Sequence, residues 1–264
     1  MTTTVQPTAT PARATKRVPM SSLRKTALAG GAFYVLTFLA SIPAVFLLSP
    51  VLNDANYIVS AGADTQVTFG AFLDLVTALT GVGTAVALFP VVKRQSEALA
   101  LGFVTTRMFE AAVIIIGVVS LLAVVTLRQP GATGAEASPL VIAGHSLVAV
   151  RNWTFLLGPN VMAGLNALLL GTLLYKSGLV PRVIPTLGLI GAPMILAVTF
   201  ATMFGLTEHG STWWILAAPI FVWELSLGVY LVVKGFKTSP ITAGMVAFGT
   251  PPAHGNGAGR YNTL

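Results

Sequence analysis

Cysteine is absent from the chain and histidine is nearly so, at three residues. Without cysteine there is no disulfide, no thiolate nucleophile and no Cys-based zinc, haem or iron–sulfur site, while the redox compartment is left open. His145, His209 and His254 lie far apart without ligand spacing, so no metal is expected. No cofactor is expected either, because the chain has no Walker loop, dinucleotide fingerprint, Gly-x-Ser-x-Gly elbow or His-Glu-x-x-His pattern. Charge is also scarce. Asp, Glu, Lys and Arg make up 9% of the residues, against roughly 25% in a soluble domain. Apolar residues fill the deficit, at 55% with a mean hydropathy of +0.83. That balance excludes a soluble globular domain and describes a membrane protein.

A helical span takes about 20 largely apolar residues to cross roughly 30 Å of hydrocarbon. Six stretches qualify, at about 27–49, 67–91, 98–126, 152–175, 183–204 and 213–234. With no water at that depth each must bond its own backbone, so the expected fold is an all-α bundle of six transmembrane helices, spanning residues 27–237. A basic arm, residues 1–26, and a Pro/Gly-rich tail, residues 238–264, flank it and are expected to be disordered. The first apolar run is too long for a signal-peptide core and is read as a retained span. The fourth span carries a second signal, Ser138-Pro139, which reads as an N-cap followed by proline at the first helical position. A helix from there to Tyr175 exceeds one crossing. We therefore expect a break at Gly158-Pro159, or an interfacial segment before Arg151.

Lysine and arginine are distributed unevenly over the connections. One side collects the basic arm, Lys93, Arg94, Lys176, Arg182, Lys234 and Lys237; the other collects Asp54, Asp64, Glu136 and Glu208 against Arg128. By the positive-inside rule both termini are cytoplasmic, in keeping with an even number of spans. The net charge of +7 is thereby a topology signal. Membrane lipids are the expected partner, nucleic acid is not, and no protein partner is assigned. Trp153, Trp213 and Trp214 fall at the outer ends of spans, as an aromatic belt requires. No inverted repeat is evident, which counts mildly against a large-amplitude transporter.

Two stretches, Trp153-Thr-Phe-Leu-Leu-Gly158-Pro159 and Leu168-Leu-Leu-Gly171-Thr-Leu-Leu-Tyr175-Lys-Ser-Gly178-Leu-Val-Pro181-Arg182, together with Arg107-x-x-Glu110-Ala111, resemble a family of bacterial multi-pass membrane proteins, the domain of unknown function 4386 family. The resemblance covers about residues 27–237. It implies a six-helix membrane architecture in the bacterial plasma membrane and no established activity, so no catalytic role comes with it.

The candidate chemistry is charge inside apolar runs. Each such side chain costs roughly 2.5–3.5 kcal/mol on insertion scales, and such residues usually face a bundle interior and find partners. Arg107 and Glu110 are three apart, so they share a helical face. Arg107 suits an anionic group and Glu110 a proton, or the two form an ion pair that locks the bundle. Glu224, in the middle of the sixth span beside Trp223, is an acid beyond what that pair needs. Asp74 either completes the cluster or reaches outer-leaflet water. Arg151 either recognises an anionic head group or snorkels to lipid phosphate. Asn166 lies on a seam of Ala163, Gly164, Ala167 and Gly171 and reads as interhelical glue.

Three functions fit this pattern. Small-molecule binding or translocation at a midplane site, with proton coupling, predicts polar access to the cluster from one face. An intramembrane enzyme using Glu110 or Glu224 as general acid on a lipid or isoprenoid predicts a cavity open sideways to lipid. An accessory subunit whose charges only lock the helices predicts no cavity beside the cluster. The surplus acid favours the first.

Overall fold

The computed structural model describes residues 20–208 and 210–243. Most of the basic arm, His209 and most of the tail, including His254, lie outside the described residues. Among the described residues the fold is all-α and six helices are long and apolar enough to cross a membrane.

The elements are α1 (Ser22–Asn53), α2 (Asp64–Val92), α3 (Glu97–Leu127), α4 (Ala137–Phe155), a π-helical segment (Leu156–Met162), α5 (Ala163–Ser177), α6 (Val183–Met203), a 3-10 turn (Thr212–Ala217) and α7 (Ala218–Val233). Successive spans pack side by side, and α7 returns to α1, so the six spans form a closed ring in chain order. The acidic connections sit at one end. There Gln129 and Gly131 of the α3–α4 loop donate backbone hydrogen bonds to Ile58 and Val59 of the α1–α2 loop, and Arg128 pairs with Asp64. The basic connections sit at the other end, where the Lys237 amide donates to Leu179 O and the Ser239 hydroxyl to Ser177 O.

Both ends of the domain are longer than the hydropathy alone indicates. Ser21 caps α1, accepting from the Arg24 amide, and the Arg24 guanidinium donates to the last carbonyls of α7, Leu231 O at 2.9 Å and Val232 O at 2.6 Å. A cation on an orphan helix C-terminus satisfies acceptors that have no intrahelical partner. Residues 22–26 are therefore helix, and residues 238–243 fold back onto the α5–α6 turn.

The fourth span keeps its helical course, but its α-helix is interrupted at Gly158-Pro159, the expected place, by a π segment. The 41 residues Ala137–Ser177 run continuously as α4, the π segment and α5. Pro159 removes the amide that would bond Phe155 O, and the Asn160 side-chain amide donates to that carbonyl instead, at 3.2 Å. The start also differs. Glu136, not Ser138, is the N-cap residue, and Pro139 falls in the first turn, where its missing amide leaves no carbonyl unpaired.

The main core is dense towards the basic end, where Phe103, Leu170, Leu173, Leu174, Leu227 and Leu231 are buried together. Two seams bring helices unusually close. Gly164 and Gly171 face Ile195, Leu196 and Leu189 of α6, so the small-residue stripe of α5 is a helix contact as expected. On the other side of the ring, a Cβ on Gly31 of α1 would stand 2.8 Å from Gly228 O, and one on Gly228 would stand 2.7 Å from Tyr34 Cβ. This α1–α7 crossing places Tyr34, one turn past Gly31, and Glu224, one turn before Gly228, on the same level. Replacing Gly31 by valine forces the two backbones apart. We expect a loss of about 1–3 kcal/mol, measured as a lowered melting temperature of the purified protein in detergent micelles.

Candidate functional site

Arg107 is the hub of the site. It is 4% exposed on the inward face of α3, with Phe103 one turn before it and Glu110 one turn after. Its Nη1 donates to Glu110 Oε2 at 3.0 Å and its Nη2 to Glu224 Oε1 at 2.5 Å. Nη2 also donates to the Tyr34 hydroxyl at 3.3 Å. One guanidinium thus joins α1, α3 and α7. The Tyr34 and Phe103 rings lie 5.6 and 5.8 Å from its carbon, adding cation–π attraction.

Glu110 is held from a fourth element. Asn166 of α5, fully buried, donates through Nδ2 to Glu110 Oε2 at 2.8 Å and accepts from the Thr106 hydroxyl on Oδ1 at 2.5 Å. The amide is oriented by its two partners, so the Asn166 reading as interhelical glue corresponds to definite bonds. Glu224 is less enclosed. It uses one oxygen for Arg107, no protein donor among the described residues reaches the other, and its side chain is 14% exposed.

Asp74 and Arg151 form a pair that the sequence did not announce. Asp74 is not bonded to Arg107, and Arg151 takes Asp74 as its carboxylate partner. Both are 8% exposed, and Arg151 Nη2 donates to Asp74 Oδ2 at 2.8 Å, tying α4 to α2. Arg151 is buried on α4, and its guanidinium carbon lies 4.7 Å from the centre of the Phe155 ring one turn on. The Nε atoms of both arginines are buried without an acceptor, so each guanidinium is gripped by its terminal nitrogens.

Beside the two clusters lies a cavity of about 310 Å³. Asp74, Arg107, Glu110, Arg151 and Glu224 all contribute to its wall; the remainder is largely apolar, from Phe38, Ile42 and Val45 of α1, Phe155 and Pro159 of the fourth span, Ile195 of α6, and Ile220 and Phe221 of α7. A second cavity of about 430 Å³ shares Val45, Arg151 and Phe155 with the first and extends to Asn53, Asn152 and Trp153. A third shares Leu52, Asn53 and Asn152 with the second and reaches Asp54 and His145, whose ring is hydrogen-bonded to Ala55 O. The charge clusters therefore adjoin a series of cavities directed towards the acidic end. The dense core closes off the basic end.

Sequence reasoning missed Tyr34, Thr106, Phe38 and Asn160. A tyrosine or a threonine inside a span carries no distinctive signal. Asn160 next to Pro159 did carry one, since a broken helix bond needs a substitute donor.

Among the described residues no group of His, Asp and Glu is arranged to hold a metal ion. Arg107→Gln leaves the buried Glu110 and the partly buried Glu224 without their counter-ion, and we expect about 3–5 kcal/mol of destabilisation. Adding Glu110→Gln and Glu224→Gln to that variant should restore part of the loss, because no unpaired charge then remains. Unfolding in mixed micelles measures both.

No curated protein and no solved structure matches the chain. A family model, Domain of unknown function (DUF4386), matches residues 29–235, from the first turns of α1 to the end of α7 and so over all six spans and every charged residue of the site. The chain belongs to this family, the domain of unknown function 4386 family.

Proposed function

We propose that this protein binds a small molecule in the cavity beside Arg107, Glu110 and Glu224, exchanges it towards the acidic end, and couples that exchange to a proton carried by a glutamate. The supporting observation is the cavity. If the charges existed only to lock the bundle, well-packed side chains would fill the space around them, as they do around Leu170 and Leu227. Instead a volume of about 310 Å³ is kept open against five ionisable side chains, at the lower end of ordinary ligand sites.

Charge counting supplies the second argument. Two guanidiniums and three carboxyls share this wall, so one acid is in excess. In a low-dielectric interior an uncompensated charge is costly, and a mobile proton or a ligand group offsets it. Glu224, with one oxygen committed to Arg107 and the other free, is the member suited to exchange. Arg107 and Asn166 hold Glu110, and Arg151 holds Asp74, which leaves these acids less free to respond.

The segregation of basic and acidic connections to opposite ends supports an orientation with both termini in the cytoplasm of a bacterial cell and the protein in its plasma membrane, so that the cavities face outward. In that setting the ligand enters from the outer side or from the outer leaflet. The lining of Ile42, Val45, Phe221 and Trp153, all exposed, suits a ligand with apolar surface.

The test is ligand-induced stabilisation. Binding to the folded state at a hundredfold excess over Kd raises stability by about 2.7 kcal/mol. We expect a component of a lipid and metabolite extract to raise the melting temperature of the wild type in detergent and to fail with Glu224→Gln. An extract without effect on the wild type, together with an early-melting Arg107→Gln, would return the cluster to a structural lock.

A further inference from the structure

The walls of the cavity go beyond its existence and specify what it takes. Resting on the reading that this cavity is a ligand site, we propose that its ligand is a lipophilic organic cation, an ammonium group carrying an apolar body, with Glu224 as counter-ion.

The charge balance favours a cation over the alternatives. An anion would have to share a guanidinium with a carboxyl, since Arg151 is paired with Asp74 at 2.8 Å and Arg107 with both glutamates at 3.0 and 2.5 Å. A neutral molecule would leave the surplus carboxyl to be offset by a proton alone. A single positive charge brings the wall of three carboxyls and two guanidiniums to neutrality.

The geometry supplies a place for each part. Ala217, Ile220, Phe221 and Glu224 all line the cavity, at the spacing of one helical face, so α7 presents an acid with an aromatic ring one turn away. The Phe221 ring meets Phe38 of α1 edge to face, with centroids 4.9 Å apart and planes at 86°, which fixes both rings at the cavity wall. The free Glu224 oxygen meets the ammonium, with the aromatic pair of Phe38 and Phe221 in the wall beside it, where a ring face attracts a cation more strongly once water is excluded. Ile195 and Ile220 pack against the apolar body. Thr37 is not available as a competing polar partner, because its hydroxyl is already bonded to Phe33 O and Thr80.

The experiment compares three probes of nearly one shape on the full chain in detergent micelles. They are benzyltrimethylammonium, its uncharged carbon isostere neopentylbenzene, and the anion phenylmethanesulfonate. Binding is read by equilibrium dialysis against protein-free micelles and by the shift in melting temperature. We expect saturable binding of the cation, at least tenfold tighter than either other probe, and a loss of at least tenfold in Glu224→Gln. Because that variant alters the ion network, Ser41→Phe serves as a second. It fills the cavity from α1 with every charge in place, and should abolish cation binding while keeping the melting temperature of the apo protein within a few degrees.

Equal or tighter binding of the neutral or anionic probe, lost in Ser41→Phe, overturns the cation assignment and leaves the ligand cavity standing. Cation binding that survives both variants places the probe elsewhere and overturns the assignment as well. If no probe binds the wild type, both the assignment and the ligand reading fall.

Discussion

A guanidinium buried between two carboxylates holds only if several helices grip it together, and the rest of this bundle follows from that constraint. Arg107 sits on α3, but its partners come from α1, α3 and α7, and Glu110 is held in turn from α5. These bonds span 2.5 to 3.3 Å, so the helices must approach closely, and the chain provides glycines where they cross. Gly31 and Gly228 let α1 and α7 come near enough for Tyr34 and Glu224 to reach one arginine. The close crossing and the ion network are thus two halves of one arrangement. Either without the other would be costly, the glycines because they bury no side chain and the charges because they would lack partners.

The second pair, Arg151 and Asp74, works by the same rule further along the bundle. It depends on the fourth span staying helical through Gly158-Pro159, where a π segment and the Asn160 side chain take up the lost backbone bond. Such segments are frequent at functional sites. Here it lies between Arg151 and the α5 seam, and Phe155 and Pro159 on either side of its start line the cavity. Two ion networks in the wall of one open volume brace the helices around it.

The site is asymmetric in charge and in access. Packing is dense at the basic end, while cavities adjoin one another towards the acidic end. An excess carboxyl at the closed end of such a path is a natural exchange point for positive charge, whether that charge arrives as a proton or as part of a ligand.

The fold and the identity of the charged residues were legible in the sequence, because both follow from composition along a line. Apolar length alone specifies spans, basic and acidic loops separate the two ends, and Arg107, Glu110, Asp74, Arg151 and Glu224 stand out by their cost in an apolar run. The small residues of α5 also announced a helix contact, since close approach has few other solutions. The pairing was not legible. Arg107 and Glu224 are 117 positions apart, and Asp74 and Arg151 are 77 apart; which acid meets which base depends on the rotation of each helix about its own axis, and in spans apolar on every side the periodicity that would reveal rotation is nearly absent. Tyr34 and the cavity belong to the same class. They exist only once six helices have been packed, because a volume is a property of the surfaces around it and not of any one stretch of chain.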